Sequence, residues 1–224
     1  MTEEHGQKVL KALEGLEERR DKLLELSQKM LSAYGGSHYP VDFLAIGAIK
    51  RIISISGGIK LLINAFNMVC ARSLLRLHID TALRFFAVFI VKEPHDFAMK
   101  VMSGGQINRM KDRLGKTMTD SYLVSKLASE YSWLPTVYKN LSGYVHFSDQ
   151  HLFSSVQNID DETHSVQYVI YEKDTKYPEF SWVEAIDCFN ETTDIFIKYL
   201  EGWIFTKSNP NLVAKLKEEL NKAD

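Results

Sequence analysis

The sequence predicts a mainly α fold, a helical bundle with one small inserted β-hairpin. Three observations carry this. Apolar residues recur at helical spacing over most of the 224 residues. Residues 41–91 are near-continuously helical in pattern and too apolar for a surface element, which suits the centre of a bundle. Residues 152–172 instead alternate in the manner of strands.

Composition sets the outer limits. The chain is 45% hydrophobic and 25% charged, with five prolines and twelve glycines. That supports a sizeable core and argues against a disordered or linker-rich chain. No linker, repeat or low-complexity segment divides it, so a single domain over 1–224 is expected. A formal net charge of −2 gives no global pull towards nucleic acid or anionic lipid, so any RNA contact needs a local basic patch. Lys60, Arg72, Arg76 and Arg84 interrupt the apolar middle before it reaches the ~20 residues of a membrane span. The opening MTEEHGQK has no signal-peptide core. Cys70 and Cys188 form no C-x-x-C pair and read as two small core residues. These features point to a reducing, cytoplasmic setting in a prokaryotic cell, with no membrane contact and no cofactor.

Residues 3–33 form an amphipathic helix, with Leu10, Leu13, Leu16, Leu23, Leu24, Met30 and Leu31 on one side. Gly35-Gly36-Ser37 ends it. This N-terminal arm, 1–34, buries its apolar face against residues 41–91 or against a second subunit. Residues 41–56 form a second helix broken by Gly57-Gly58; 59–67 resume helically and lead into 68–91. Glu93-Pro94 breaks that helix, 95–102 is a short helical turn, and Gly104-Gly105 makes a loop. Arg109, Lys111, Arg113 and Lys116 then form either a solvated turn or a phosphate-contacting patch. Residues 118–131 and 133–146 read as two more helices. LFSSVQNI and HSVQYVIYE pair as a hairpin across the polar turn DDETH. Ser181-x-x-Glu184 is a capping box opening a long helix to about Thr206, and Asn209-Pro210 opens a last helix.

Two constellations carry chemistry. The first lies in 68–91, where Arg72, Arg76, Asp80 and Arg84 follow at intervals of four. Residues four apart stack one turn above another, so Asp80 has an arginine on either side. Buried charges are costly unless paired. The row is therefore either a salt-bridge network that fixes helix register, or a site where one arginine is left free. A free guanidinium would hold a phosphate or carboxylate of a nucleotide or other anionic ligand.

The second is KNLSGYVHFSDQH at 139–151, with Lys139, Asn140, Ser142, Tyr144, His146, Ser148, Asp149 and His151. Lys139 and His146 lie two helical turns apart and project from one face, with Asn140 alongside. A histidine exchanges protons near neutral pH, and a neighbouring cation stabilises charge developing on a phosphate. The set suffices for metal-independent RNA cleavage, with the complementary acid–base role falling to a second subunit. The plainer alternative is a helix-end histidine bonded to a backbone carbonyl.

KNLSGYVH resembles the signature of the HEPN superfamily, a helical fold of prokaryotic defence and toxin systems. Its members carry an arginine, often followed by a polar residue, then four to six positions and a histidine. Lys139, Asn140 and His146 match that spacing, with lysine in place of arginine. The resemblance implies an endoribonuclease, expected to be a homodimer, with His146, Lys139 and Asn140 catalytic; Ser142, Tyr144, Ser148, His151 and the arginine row Arg72, Arg76, Asp80 and Arg84 are candidate ligand contacts. The row also resembles the R-x-x-x-[DE] helix of bacterial helical proteins that pair it with S-G-x-V-H-x-S. That likeness implies no activity and keeps a non-catalytic binding protein as the alternative. His146, Asp149 and His151 lack the four-residue histidine spacing and a third ligand, so no metal site is expected. There is no glycine-rich phosphate loop and no G-x-S-x-G elbow.

Overall fold

The computed structural model describes residues 4–146 and 148–212. It bears out the fold class. In chain order the elements are α1 (Gln7–Ser32), α2 (Pro40–Asn64), α3 (Met68–Phe86), α4 (Pro94–Met102), α5 (Asp120–Leu127), α6 (Leu134–Val145), α7 (Asp149–Ser154), β1 (Val156–Asp160), β2 (Ser165–Tyr168) and α8 (Glu179–Ser208). Helix α3 is the centre: α2, α8, α6 and α5 all pack against it. Its core face, including Leu75, Ile79, Leu83 and Phe86, is buried.

Helix α1 is a bundle member rather than an arm. It packs chiefly on α8 and secondarily on α2, so a second subunit is not needed to cover its apolar stripe. The buried stripe is Val9, Leu13, Leu16, Leu23, Leu26 and Met30. Leu10, Leu24 and Leu31, expected inside, are exposed. Each lies one residue past a buried position, and a stripe facing two helices is too narrow to include it. Polar bonds hold the packing: Arg19 pairs with Asp194 (Nε to Oδ1 2.9 Å), and Lys60 with Glu17 at 2.6 Å. Gly15 lets α8 approach closely, because a Cβ there would sit 2.7 Å from Asn190 Nδ2.

Helix α2 runs unbroken through Gly57-Gly58, against the expected break. Ile55, Ile59 and Ile63 remain buried on either side of the pair, and this burial outweighs the roughly 1 kcal/mol that a glycine costs in a helix. The real break is at 65–67. Phe66 adopts φ 58°, held by stacking on His5 with centroids 4.0 Å apart and by Trp182 at its edge. Asn67 then caps α3 by accepting from the Cys70 N–H, and Asp174 accepts from Met68 N–H at 2.8 Å.

Helix α8 starts at Glu179, one turn earlier than the Ser181-x-x-Glu184 box would place it; Pro178 precedes it and Ser181 is already buried inside. Cys70 is exposed rather than in the core, and neither cysteine is in a disulfide. The hairpin is shorter than 152–172, because residues 152–154 belong to α7. Its strands are antiparallel with Ile159 opposite Val166 and Asp160 opposite Ser165. Residues 210–212 are helical, as expected after Asn209-Pro210; the rest of that expected helix lies outside the described residues. Among the described residues, no helix is long and apolar enough to cross a membrane.

Candidate functional site

The arginine row runs along the groove between α3, α5 and α6, and most of it is engaged. Arg76, only 11% exposed in its side chain, pairs with Asp80 as the four-residue spacing predicts. Arg84 does not take the other side of Asp80; it bonds Asp120, at the start of α5. Asp120 also lies 3.9 Å from Arg76. Arg76 further donates to the Tyr138 hydroxyl, stacks on that ring at 3.7 Å, and lies 3.4 Å from Ser142 Oγ. Arg72 donates to the Tyr144 hydroxyl and sits over the Tyr144 and Tyr177 rings at 4.9 and 5.2 Å. Ser73 Oγ donates to Tyr144 O at 2.9 Å. The row therefore clamps α6 onto α3. Burial raises the Tyr138 and Tyr177 hydroxyls, Tyr177 to about 12, so both stay protonated.

Helix α6 divides its residues between two faces. Leu134, Leu141 and Tyr144 are buried, and Tyr138 and Ser142 turn to the arginines. Lys139 and Asn140 are exposed, as is His146 beyond the last turn. The helix ends at Val145. His146 is extended (φ −105°, ψ 142°) and its backbone N–H donates to Ser142 O at 3.2 Å. The two-turn alignment with Lys139 thus stops one residue short of a continuous helix. Among the described residues, the side chains of Lys139, Asn140 and His146 meet no hydrogen-bond or ion-pair partner, and His146 does not touch the arginine row. Ser148 Oγ donates to Gly143 O at 2.8 Å, and the His151 ring meets Tyr144 edge-on at 6.1 Å. Asn140 borders a small cavity with Arg72, Tyr144 and Cys188.

The basic loop after α4 is tied down. Buried Asp112 accepts from Leu114 N–H, Lys116 N–H and the Tyr122 hydroxyl at 2.9, 2.8 and 2.5 Å. Arg113 donates to Phe89 O and Ile90 O, so this arginine is not free for phosphate.

Four features escaped the sequence reading. Asp120 and Tyr138 meet the row only through tertiary packing, and no local spacing announces them. A cavity of about 390 Å³ opens between α2 and α3, with Arg51, Asp80 and Arg84 in its wall. Lys207 and Asp42 form a fully buried pair at 2.8 Å; Lys207 also donates to Met30 O and Trp203 Nε1 to Asp42. His78 is fully buried, stacked on Phe189 at 3.9 Å with Nε2 2.9 Å from Thr193 Oγ1. Thr193 gives its own proton to Phe189 O, so Nε2 must be the donor to it. Burial pulls His78 down to about 3, with Arg51 acting in the same direction.

Comparison with protein-family models, curated proteins and solved structures finds no match. The fold and site define a mainly α bundle whose polar seam orients α6 on α3.

Proposed function

We propose that this protein is a HEPN-like, metal-independent endoribonuclease that acts as a homodimer, with the outer end of α6 as its site. One observation carries the reading. The inner polar groups of α6, Tyr138, Ser142 and Tyr144, bind the arginine row, whereas Lys139, Asn140 and His146 stand exposed and, among the described residues, uncommitted. Polar groups that do no structural work are the ones available to a substrate. The His146 imidazole would take the proton of a ribose 2′-hydroxyl. The 2′-oxygen then attacks phosphorus, and the 5′-oxygen leaves with a proton from the second subunit's site. The products are a 2′,3′-cyclic phosphate and a free 5′-hydroxyl. Lys139 would stabilise the non-bridging oxygens as their charge grows, and Asn140 would orient the phosphate. Lysine contributes a point charge where arginine would offer a fork.

The test is cleavage of a labelled panel of structured and single-stranded RNA by purified protein in a chelator. The expected products end in cyclic phosphate, Lys139→Ala lowers the rate, and Lys139→Arg keeps or raises it. Loss of activity in chelator, or equal rates for both Lys139 variants, contradicts the mechanism.

The alternative expectation, an anion-binding protein built on the arginine row, is narrowed by geometry. Arg72 and Arg76 are committed to α6, and Arg84 bonds Asp120.

A further inference from the structure

The hairpin is the least covered part of the fold. Apart from each other, its strands have their main packing where β1 meets α7. A lone two-stranded hairpin is at best marginally stable in water; three or more strands sharing an apolar face are needed. Such a face is present and open. Ile159 and Val166 lie opposite each other, and Tyr168 and Ile170 continue the same side by the two-residue repeat. All four are exposed, Ile170 at 94%.

The two edges of the hairpin differ. Val169 N–H donates to Ser155 O at 2.8 Å, so these groups face inward between the strands. Backbone groups alternate sides along a strand, so the carbonyls of Ser154 and Val156 point outward from β1. Lys176 Nζ donates to both, and this cation blocks the β1 edge. On β2 the same alternation turns the N–H and C=O groups of Val166, Tyr168 and Ile170 outward. Among the described residues, β1 is the one strand neighbour of β2, so no strand pairs with that outer side. Residues 165–171, SVQYVIY, hold no charge, proline or glycine that would discourage pairing.

We propose that β2 pairs antiparallel with β2 of a second copy of this chain, across a two-fold axis at Tyr168, making one four-stranded sheet. The outward groups set the register. Tyr168 opposes Tyr168 of the partner subunit, and Val166 opposes the partner subunit's Ile170. Each opposed pair exchanges two backbone bonds, and the two apolar faces become one. Charge selects a second copy and the antiparallel sense. Asp161 and Glu162 lie at the turn end of β2, and Lys173 and Lys176 lie past its other end. Glu172 is also at that end, whereas Asp174 is committed to the N–H groups of Met68 and Val69. Antiparallel pairing sets the acidic end of one copy beside the lysines of the other; parallel pairing would set acid against acid. This pairing gives the homodimer of the ribonuclease reading its interface and to that extent rests on that reading, but its test measures association and not cleavage.

Sedimentation equilibrium of the full chain at micromolar concentration is the test, and the wild type sediments as a dimer. Tyr168→Lys sets two ammonium groups against each other at the axis and weakens the dimer by about tenfold or more. Far-UV circular dichroism of that variant shows the helices intact, since Tyr168 is exposed. Val166→Glu and Ile170→Lys each weaken association. The double variant Val166→Glu/Ile170→Lys recovers it, because opposite charges then face each other in both symmetry-related pairs. The proposal is overturned if the wild type is monomeric, or if the double variant associates no better than the single ones. A dimer that persists unweakened in Tyr168→Lys also overturns this interface, and leaves the ribonuclease reading standing.

Discussion

Asp80 shows what a single residue does in this bundle. Its carboxylate is the counter-charge of Arg76, which is nearly sealed from solvent and also serves Tyr138 and Ser142. Asp80→Ala leaves that guanidinium short of one partner while Asp120 stays 3.9 Å away. Because Asp80 is itself a quarter exposed, the expected loss is about 2 kcal/mol, below that of a fully buried pair. Urea denaturation measures it, and an unchanged midpoint would mean that the row does not hold the helices together. His78 makes a second residue-scale prediction. Its folded pKa of about 3 lies below the ordinary 6.5, so below pH 6.5 the unfolded chain takes up a proton that the folded chain refuses. His78 therefore costs nothing above pH 6.5, and stability falls as pH drops from 6.5 towards 3. Between pH 7 and pH 5 the wild type should lose about 2 kcal/mol more than His78→Gln, as parallel denaturation curves would show.

At the scale of elements, helices were legible where apolar spacing was strong, and their ends were legible only where the signal was local. A short helix follows the Glu93-Pro94 break as expected, with Pro94 itself its first residue, and the hairpin around DDETH forms where alternation placed it. Gly57-Gly58 misled because burial of flanking isoleucines overrides local propensity, whereas the Phe66 turn is imposed by His5 and Trp182, far away in sequence. The Arg76–Asp80 pair was readable from a four-residue interval; the Arg84–Asp120 pair was not, because its partners come from different helices. The same holds for Lys207 and Asp42, which join the end of α8 to the start of α2. Lys207→Met strands the Asp42 carboxylate in the core and should cost roughly 3–5 kcal/mol. A denaturation midpoint near that of wild type would show that the pair is dispensable.

For the whole molecule, the central claim is a division of labour along α6. The arginine row, with the tyrosines and Ser142, fixes the helix from within; the outer residues are left for chemistry. The residues of this outer site were named from the sequence because a short motif is local, but that they stand clear of the row became visible only once α3 and α6 were packed together. On the proposed reading, a catalytic role and a structural one fall on different side chains and separate cleanly by mutation. The decisive measurement is RNA cleavage by His146→Ala beside the wild type, with the melting temperature of each recorded. The account predicts that the variant melts within a degree or two of wild type, since His146 is exposed and its side chain meets no bonding partner among the described residues, and that cleavage is abolished. A highly purified wild type that cuts no RNA, or a His146→Ala variant that cuts as fast as wild type, would contradict it.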